Sequence, residues 1–250
     1  VPMKVYPAMH YSMGGLWAGY TRTADGFVDL NATNNQMSNL PGLFVVGEAD
    51  HQYHGANRLG ANSLLSCIYA GMIGGPSAVR YARGLAKKAS DLPTSLFEAE
   101  EKRWTERFDA LRRMSGPENP YRLHQEMAQT MSNHVGIARD NPGLTAAETK
   151  IREYQDRFTR LGLPDSAGWA NQSLAFMNQL DNMLDLARIV VAGALARNES
   201  RGAHYKPEFP TRNDADWLKT TIADWTPEGP KLSYTSVDIS ILPPVARSYT

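Results

Sequence analysis

The chain has a single cysteine, Cys67, so no internal disulfide can form, and that thiol lies inside an apolar run. A reduced, buried thiol in an intracellular compartment is the simplest reading of this scarcity. Net charge is missing as well. The 26 Lys and Arg offset the 26 Asp and Glu, which removes the electrostatic footprint expected of a chain that binds nucleic acid or an acidic surface. No charged-then-apolar leader is present, and no apolar stretch reaches the ~20 residues that a bilayer-spanning helix needs. Any membrane attachment is therefore expected from another subunit. His51 and His54 have metal-like spacing, but no cysteine or further histidine sits near them in the chain, so no metal site is expected. Nowhere does a Gly-x-Gly-x-x-Gly follow a strand pattern, so the turn that cradles a dinucleotide pyrophosphate is lacking.

What is present centres on His54-Gly-Ala-Asn-Arg-Leu-Gly-Ala-Asn-Ser-Leu-Leu65, a polar loop running into an apolar stretch. Gly55 and Gly60 allow close backbone approach, and Arg58 between them offers a planar fork suited to carboxylate or phosphate. Asn62 or Ser63 is placed to cap a helix beginning at Leu64, whose free N–H groups favour an anion or an electron-rich ring. The same residues also fit a surface loop with a salt-bridged arginine and an ordinary cap. Upstream, His10 precedes the pair Gly14-Gly15, which can bring backbone against a flat ligand, although a lone histidine is as readily structural. Residues 43–46 form a short apolar run after a Pro-Gly turn, as expected of a central strand buried on both faces, and Glu48 follows where such a strand emerges. A carboxylate there can accept from the hydroxyls of a sugar or ribityl chain, or it can serve as a cap or ion-pair partner.

The 250 residues have room for one large or two small domains. Residues 3–6 and 27–30 are strand candidates. Residues 64–85 read as a core helix, apolar nearly all round, that Pro76 should kink or restart. Four amphipathic helices follow. The first is capped by Ser95-x-x-Glu98, the second is opened by Asn119-Pro120 with Leu123, Met127, Met131 and Val135 on one stripe, the third is capped by Thr145-x-x-Glu148, and the last spans residues 173–198. Each stripe needs a partner face, which predicts an antiparallel helical bundle. The methionine stripe reads as core in preference to a partner groove. Arg201 and His204 either face a ligand cleft or, as preferred here, pin the bundle to the first domain. Residues 231–237 and 239–242 read as two strands in a proline-rich tail preceded by Trp217 and Trp225. The organisation expected is 1–35, 36–90, 91–205 and 206–250.

Four strings occur in order: His10-Tyr-Ser-Met-Gly-Gly15, Gly42-Leu-Phe-Val-Val-Gly-Glu48, the His54 to Leu65 loop, and Glu199-Ser-Arg-Gly-Ala-His204. Together the chain resembles the C-terminal part of the flavoprotein subunits of succinate dehydrogenase and fumarate reductase, bacterial types with a single cytochrome b anchor above all. The resemblance covers essentially the whole chain; its last string also fits L-aspartate oxidase.

The resemblance implies a mixed α+β and α/β fold: the end of a capping domain, the last segment of a Rossmann-like FAD-binding domain, a helical bundle and a small C-terminal domain. It implies FAD as cofactor, a dicarboxylate substrate held by His10 and Arg58, and FAD contacts from Glu48, Ser63 and Leu64. It further implies an iron-sulfur subunit as partner and a cytochrome b anchor that holds the complex at the cytoplasmic side of the inner membrane. The family's proton-transferring arginine and covalent flavin histidine are expected upstream. The chain opens on Val1 and its first residues read as the middle of a longer protein, so a fragment carrying one wall of an active site is expected. The isolated 250-residue chain should then purify without a stoichiometric flavin spectrum and without succinate oxidation, which an absorbance scan and a dye-reduction assay check directly.

Overall fold

The computed structural model describes Met3 and residues 10–245, which divide into two compact units, Val1–Pro93 and Thr94–Thr250. The strand expected over residues 3–6 lies outside the described residues apart from Met3.

In the first unit, irregular segments pack on one long helix, α1 (Asn62–Gly84). The turn at Asp25-Gly26 forms as expected, with Gly26 N donating to Thr23 O at 2.9 Å, but residues 27–30 make no strand and only Val28 bridges, to Arg22. The central strand expected over 43–46 is also not formed. Phe44 makes one antiparallel bridge, to Met37, while Leu43 and Val46 are 46% and 44% exposed. A central strand needs a hydrogen-bonded neighbour along each edge and a packed layer on each face; among the described residues this run has one bridging neighbour, Met37, and two of its four side chains are exposed. The segment instead folds back through Ser38 N to Leu43 O and Val45 N to Gln36 O, both 2.8 Å.

Helix α1 departs from expectation too. Its buried face is the small one, Ser66, Ala70, Ile73, Gly74 and Ser77, whereas Leu64 is 73% exposed and Leu65, Ile68 and Met72 are exposed beside it. The short side chains let the backbone of the 36–49 segment come close, and the large apolar ones turn the other way. Pro76 does not end the helix, because the Met72 carbonyl that loses its donor lies on the exposed side, where water can satisfy it.

The second unit is the bundle. Helices α2 (Thr94–Arg112), α3 (Pro120–His134), α4 (Asn141–Phe158) and α5 (Gln172–Ala196) surround one apolar core, with α5 packed on α2, α3 and α4. Asn119 caps α3 through Oδ1, which accepts from Tyr121 N at 2.9 Å and Arg122 N at 3.2 Å, with Pro120 leading the first turn as the sequence indicates. Two caps differ from expectation. Ser95 lies inside α2, and α4 begins at Asn141 under an Asp140 cap, with Gly143 N donating to Asp140 Oδ1 at 2.7 Å. Thr145 is left to back-bond to Asn141 O at 2.8 Å, a local alternative open to a threonine inside a helix. Three of the expected stripes are buried: Leu123, Met127 and Val135 on the α3 side with Met131 partly so, Ile151, Tyr154, Phe158 and Leu161 on the α4 side, and Leu174, Met177, Leu180, Leu184 and Val191 on α5 with Leu195 partly so. The stripe expected on α2, Phe97, Trp104, Phe108 and Leu111, is buried only at its C-terminal end: Leu111 is in the core and Phe108 packs on it, whereas Phe97 and Trp104 are exposed. The methionines are core.

A buried ion cluster fastens the tail to the bundle. Glu199 accepts from Arg197 Nη1 at 2.7 Å, Arg201 Nε at 2.8 Å, Arg201 Nη2 at 3.0 Å and Asn213 N at 2.9 Å. Burial alone would raise the Glu199 carboxyl, but Arg201, the Asn213 N–H and Arg197 outweigh it and hold it below the usual carboxylate range. Arg201 also donates to Asp214 at 2.6 Å, and Arg197 reaches the carbonyls of Trp217 and Lys219. Lys206, fully buried, donates to Asn141 Oδ1, Leu195 O and Asn198 Oδ1. The bonds of Arg201 and His204 join the end of α5 to the tail within this unit. Beyond the short helix α6 (Asp214–Trp217), strands β1 (Lys219–Asp224) and β2 (Lys231–Ser236) form an antiparallel hairpin running from Lys219 opposite Ser236 to Asp224 opposite Lys231. Residues 239–242 make no strand, and Ile241 and Leu242 are exposed; among the described residues no neighbour offers them a ladder.

Replacing the fully buried Leu180 by Ala should destabilise the bundle by about 2–5 kcal/mol, read as a lower urea midpoint at unchanged slope. His204 supplies a pH dependence. Its Nε2–H donates to Arg197 O at 3.0 Å while Nδ1 faces Arg139 Nη1 at 3.3 Å, and burial pushes its pKa from 6.5 down to about 4. A depressed folded pKa means that the unfolded chain takes up the proton first. The contribution is complete above pH 6.5 and is lost as the pH falls toward 4. Urea midpoints across that window should decline, and an H204N variant should flatten the decline.

Candidate functional site

The chemistry-bearing residues of the first unit gather where three segments meet: residues 10–16, the loop 47–60 and the first turn of α1. The meeting begins with backbone. Leu16 pairs in parallel with Asp50, its N–H donating to Ala49 O at 2.8 Å. Gly15 is required there, since a Cβ at that position would fall 2.3 Å from the Ala49 oxygen. Gly47, at φ +72°, turns the chain into a short 3-10 turn (Gly47–Ala49) against Cys67, and Glu48 projects from that turn. Glu48 Oε1 accepts from Ser12 N at 2.9 Å, a second tie between the segments that leaves other carboxylate lone pairs open.

Behind this layer lies a buried polar network. The Asp50 carboxylate accepts from Gln36 Nε2 at 2.6 Å and Gln52 Nε2 at 2.9 Å, and Gln52 also donates to Gln36 Oε1 at 2.6 Å. Burial, reinforced by the Asp50 charge, pushes the hydroxyl of neighbouring Tyr53 well above its ordinary range. The loop bearing Arg58 therefore rests on satisfied hydrogen bonds, not on apolar packing.

Arg58 and His10 are brought together. Arg58 Nη2 lies 3.2 Å from His10 Nδ1, and because a guanidinium can only donate, the ring takes the tautomer with its proton on Nε2. Arg58 Nη1 donates to Leu59 O at 3.1 Å, its backbone N–H points at Met13 Sδ at 3.0 Å, and its Cζ lies 5.6 Å over the Tyr11 ring. Its Nε is buried without a partner, and among the described residues Arg58 has no carboxylate within ion-pair distance. A half-buried guanidinium with spare donors beside an Nε2–H donor is suited to an anion that the chain itself does not supply.

The start of α1 differs in detail from expectation. Asn62 is its first residue, and the cap position belongs to Ala61, in the left-handed region at φ 63° with no side-chain cap bond. Neither Asn62 nor Ser63 caps it; Asn62 N donates back to Leu59 O at 3.3 Å, and no side chain among the described residues takes the N–H groups of Ser63 and Leu64 that follow. Ser63 is half-buried, and its carbonyl accepts from Ser66 Oγ at 2.8 Å; Leu64 is exposed. His51 and His54 turn to different partners, Asp50 at 3.6 Å and Ser66 Oγ at 3.0 Å, and no group of His, Cys, Asp or Glu among the described residues could hold a metal ion. Tyr11, Met13 and Ser66, which touch Arg58, His54 or the helix start, were not singled out from the sequence. The only signal for Ser66 is a hydroxyl in an otherwise apolar run.

Comparison with known proteins identifies the family. A family model described as fumarate reductase flavoprotein C-term matches residues 124–249, and one described as FAD binding domain matches residues 1–64. The chain is 46% identical, over its full length, to 41% of the succinate dehydrogenase flavoprotein subunit of Bacillus subtilis. It is 32% identical, over 99% of its length, to 39% of the fumarate reductase flavoprotein subunit of Haemophilus influenzae. A chain of E. coli quinol fumarate reductase superposes on 95% of it with a TM-score of 0.81 at 30% identity, using 38% of that chain. The chain thus spans about two fifths of the length of these relatives. With the last helices and tail matched by the one model and the His10 to Leu64 region by the other, the chain belongs to the family of succinate dehydrogenase and fumarate reductase flavoprotein subunits.

Proposed function

We propose that this chain supplies one wall of a dicarboxylate site in an FAD enzyme that interconverts succinate and fumarate. The observation that carries the reading is Arg58, which has spare guanidinium donors, no carboxylate partner among the described residues, and His10 at 3.2 Å, next to an uncapped helix start. Succinate has two carboxylates. Arg58 holds one through charge-assisted hydrogen bonds, and His10, its Nδ1 engaged by Arg58, donates from Nε2 to the same or the neighbouring carboxylate. Holding the substrate ends removes orientational freedom before reaction, which is most of what such a wall contributes.

FAD, when bound, supplies the two-electron acceptor. The residues that fit it are Glu48, whose open lone pairs accept from hydroxyls, and Ser63 with Leu64, whose N–H groups at the helix start favour negative charge on a ring. An iron-sulfur subunit then carries electrons to quinone on a cytochrome b anchor, with the flavoprotein peripheral on the cytoplasmic side of the inner membrane. What supports the reading is coarser: one relative is a flavoprotein subunit, hence part of a larger assembly, and a structural neighbour is a quinol fumarate reductase. No helix among the described residues is long and apolar enough to cross a membrane. The same site serves either direction of reaction.

In the full-length protein assembled with its partners, R58A should lower kcat/KM for succinate on the order of 10²-fold or more while the flavin spectrum stays intact. Retained turnover would remove Arg58 from the substrate. Turnover of succinate compared with L-aspartate separates this reading from an L-aspartate oxidase activity, and co-purification of the iron-sulfur subunit tests the partner.

A further inference from the structure

We infer that Tyr11, His54 and Ser66 form a positioning cluster that sets the placement of His10 and Arg58 relative to each other and to the start of α1. The inference rests on the dicarboxylate reading of that pair.

Proton bookkeeping gives the cluster a single arrangement. Ser66 is buried, and its hydroxyl donates its one proton to Ser63 O at 2.8 Å. The oxygen then has only lone pairs left, and two groups lie on them: Tyr11 OH at 3.3 Å and His54 Nε2 at 3.0 Å. Both must donate, so the Tyr11 proton points at Ser66 and His54 carries its proton on Nε2. Every valence of the Ser66 hydroxyl is used. Tyr11 and His54 also meet edge to face, with ring centroids 4.8 Å apart and planes at 85°. The Arg58 guanidinium lies over the Tyr11 ring, which limits the planes its fork can adopt.

Each member belongs to a different segment. Tyr11 directly follows His10, His54 opens the loop that carries Arg58, and Ser66 closes the turn whose first N–H groups are open to a ligand. The His10 to Arg58 hydrogen bond is a single exposed contact and cannot by itself fix where the two residues sit. The cluster can, because none of its bonds uses an atom that the anion needs. These side chains act through His10 and Arg58 and are positioning residues.

The test uses the full-length, flavin-loaded enzyme with its partner subunits. Malonate is the dicarboxylate probe, its affinity read from perturbation of the flavin absorbance, together with KM and kcat for succinate. Y11F removes one hydroxyl and H54L one donor. Each should weaken malonate binding and raise KM by about tenfold at full flavin content, with a smaller change in kcat. H54Q keeps an N–H donor and should recover most of the affinity. H54L combined with S66A should cost no more than the larger of the two single changes, as groups acting through one hydroxyl require. Malonate affinity within about twofold of the parent in both Y11F and H54L would overturn the inference. Loss of flavin together with affinity, unrepaired in H54Q, would also overturn it and leave the cluster a purely structural one. R58A separates the two readings. If it weakens malonate binding and the cluster variants do not, only the positioning role fails; if R58A leaves malonate affinity intact, the dicarboxylate reading fails and the positioning role with it.

Discussion

The backbone contact between Gly15 and Ala49 is the constraint from which the candidate site follows. With no Cβ at residue 15, the 10–16 segment lies flat on the loop after Glu48, and the Leu16 to Ala49 hydrogen bond of 2.8 Å sets the register. That register delivers His10 to Arg58 and Tyr11 to His54 and Ser66, and it lets Glu48 take the Ser12 N–H. Side-chain chemistry separated by dozens of residues in sequence thereby becomes local. The first unit otherwise has little apolar core, and Gln36, Asp50 and Gln52 hold its loop by hydrogen bonds. Such a network is directional, so it specifies where the Arg58 loop sits more narrowly than apolar contact could.

The second unit solves a different problem. Its four long helices bury regular apolar stripes, so its stability comes from packing that many sequences could provide. The buried Glu199 is the specific element. Ringed by Arg197, Arg201 and the Asn213 N–H, it costs desolvation and recovers that cost through hydrogen bonds. Through the same arginines it fastens α6 and β1 to the end of α5. The string Glu199-Ser-Arg-Gly-Ala-His204 thus has a structural reading complete in itself: an ion cluster and a half-buried neutral histidine that join the tail to the bundle.

Conformational consequences differ between the units in the same way. Local opening of the bundle exposes a continuous core and is cooperative, whereas the loop bearing Arg58 is held by few apolar contacts and draws its order from polar bonds. A ligand carboxylate that engages Arg58 would add to that order, which ties recognition of the anion to the rigidity of the loop.

The bundle was legible in the sequence. Stripes at helical spacing and the Asn119-Pro120 start are local signals, and local propensity and burial agree there. Caps were less so, because Ser95-x-x-Glu98 and Thr145-x-x-Glu148 satisfy a pattern that helices starting earlier make irrelevant. The run over 43–46 misled for a deeper reason: apolar residues mark a buried strand only if neighbouring strands exist to pair with it, and pairing is not written in the run itself. Likewise Lys231–Ser236 forms a strand because Lys219–Asp224, which the sequence did not single out, lies alongside it, whereas 239–242 forms none. For the site, residue types alone determined that His10, Glu48 and Arg58 could handle carboxylates and hydroxyls. Only the tertiary structure decided that His10 and Arg58 share a hydrogen bond, that Ala61 leaves the helix start uncapped, and that one Ser66 hydroxyl joins Tyr11, His54 and Ser63, because donors and acceptors acquire partners only when the fold sets them within about 3 Å of one another.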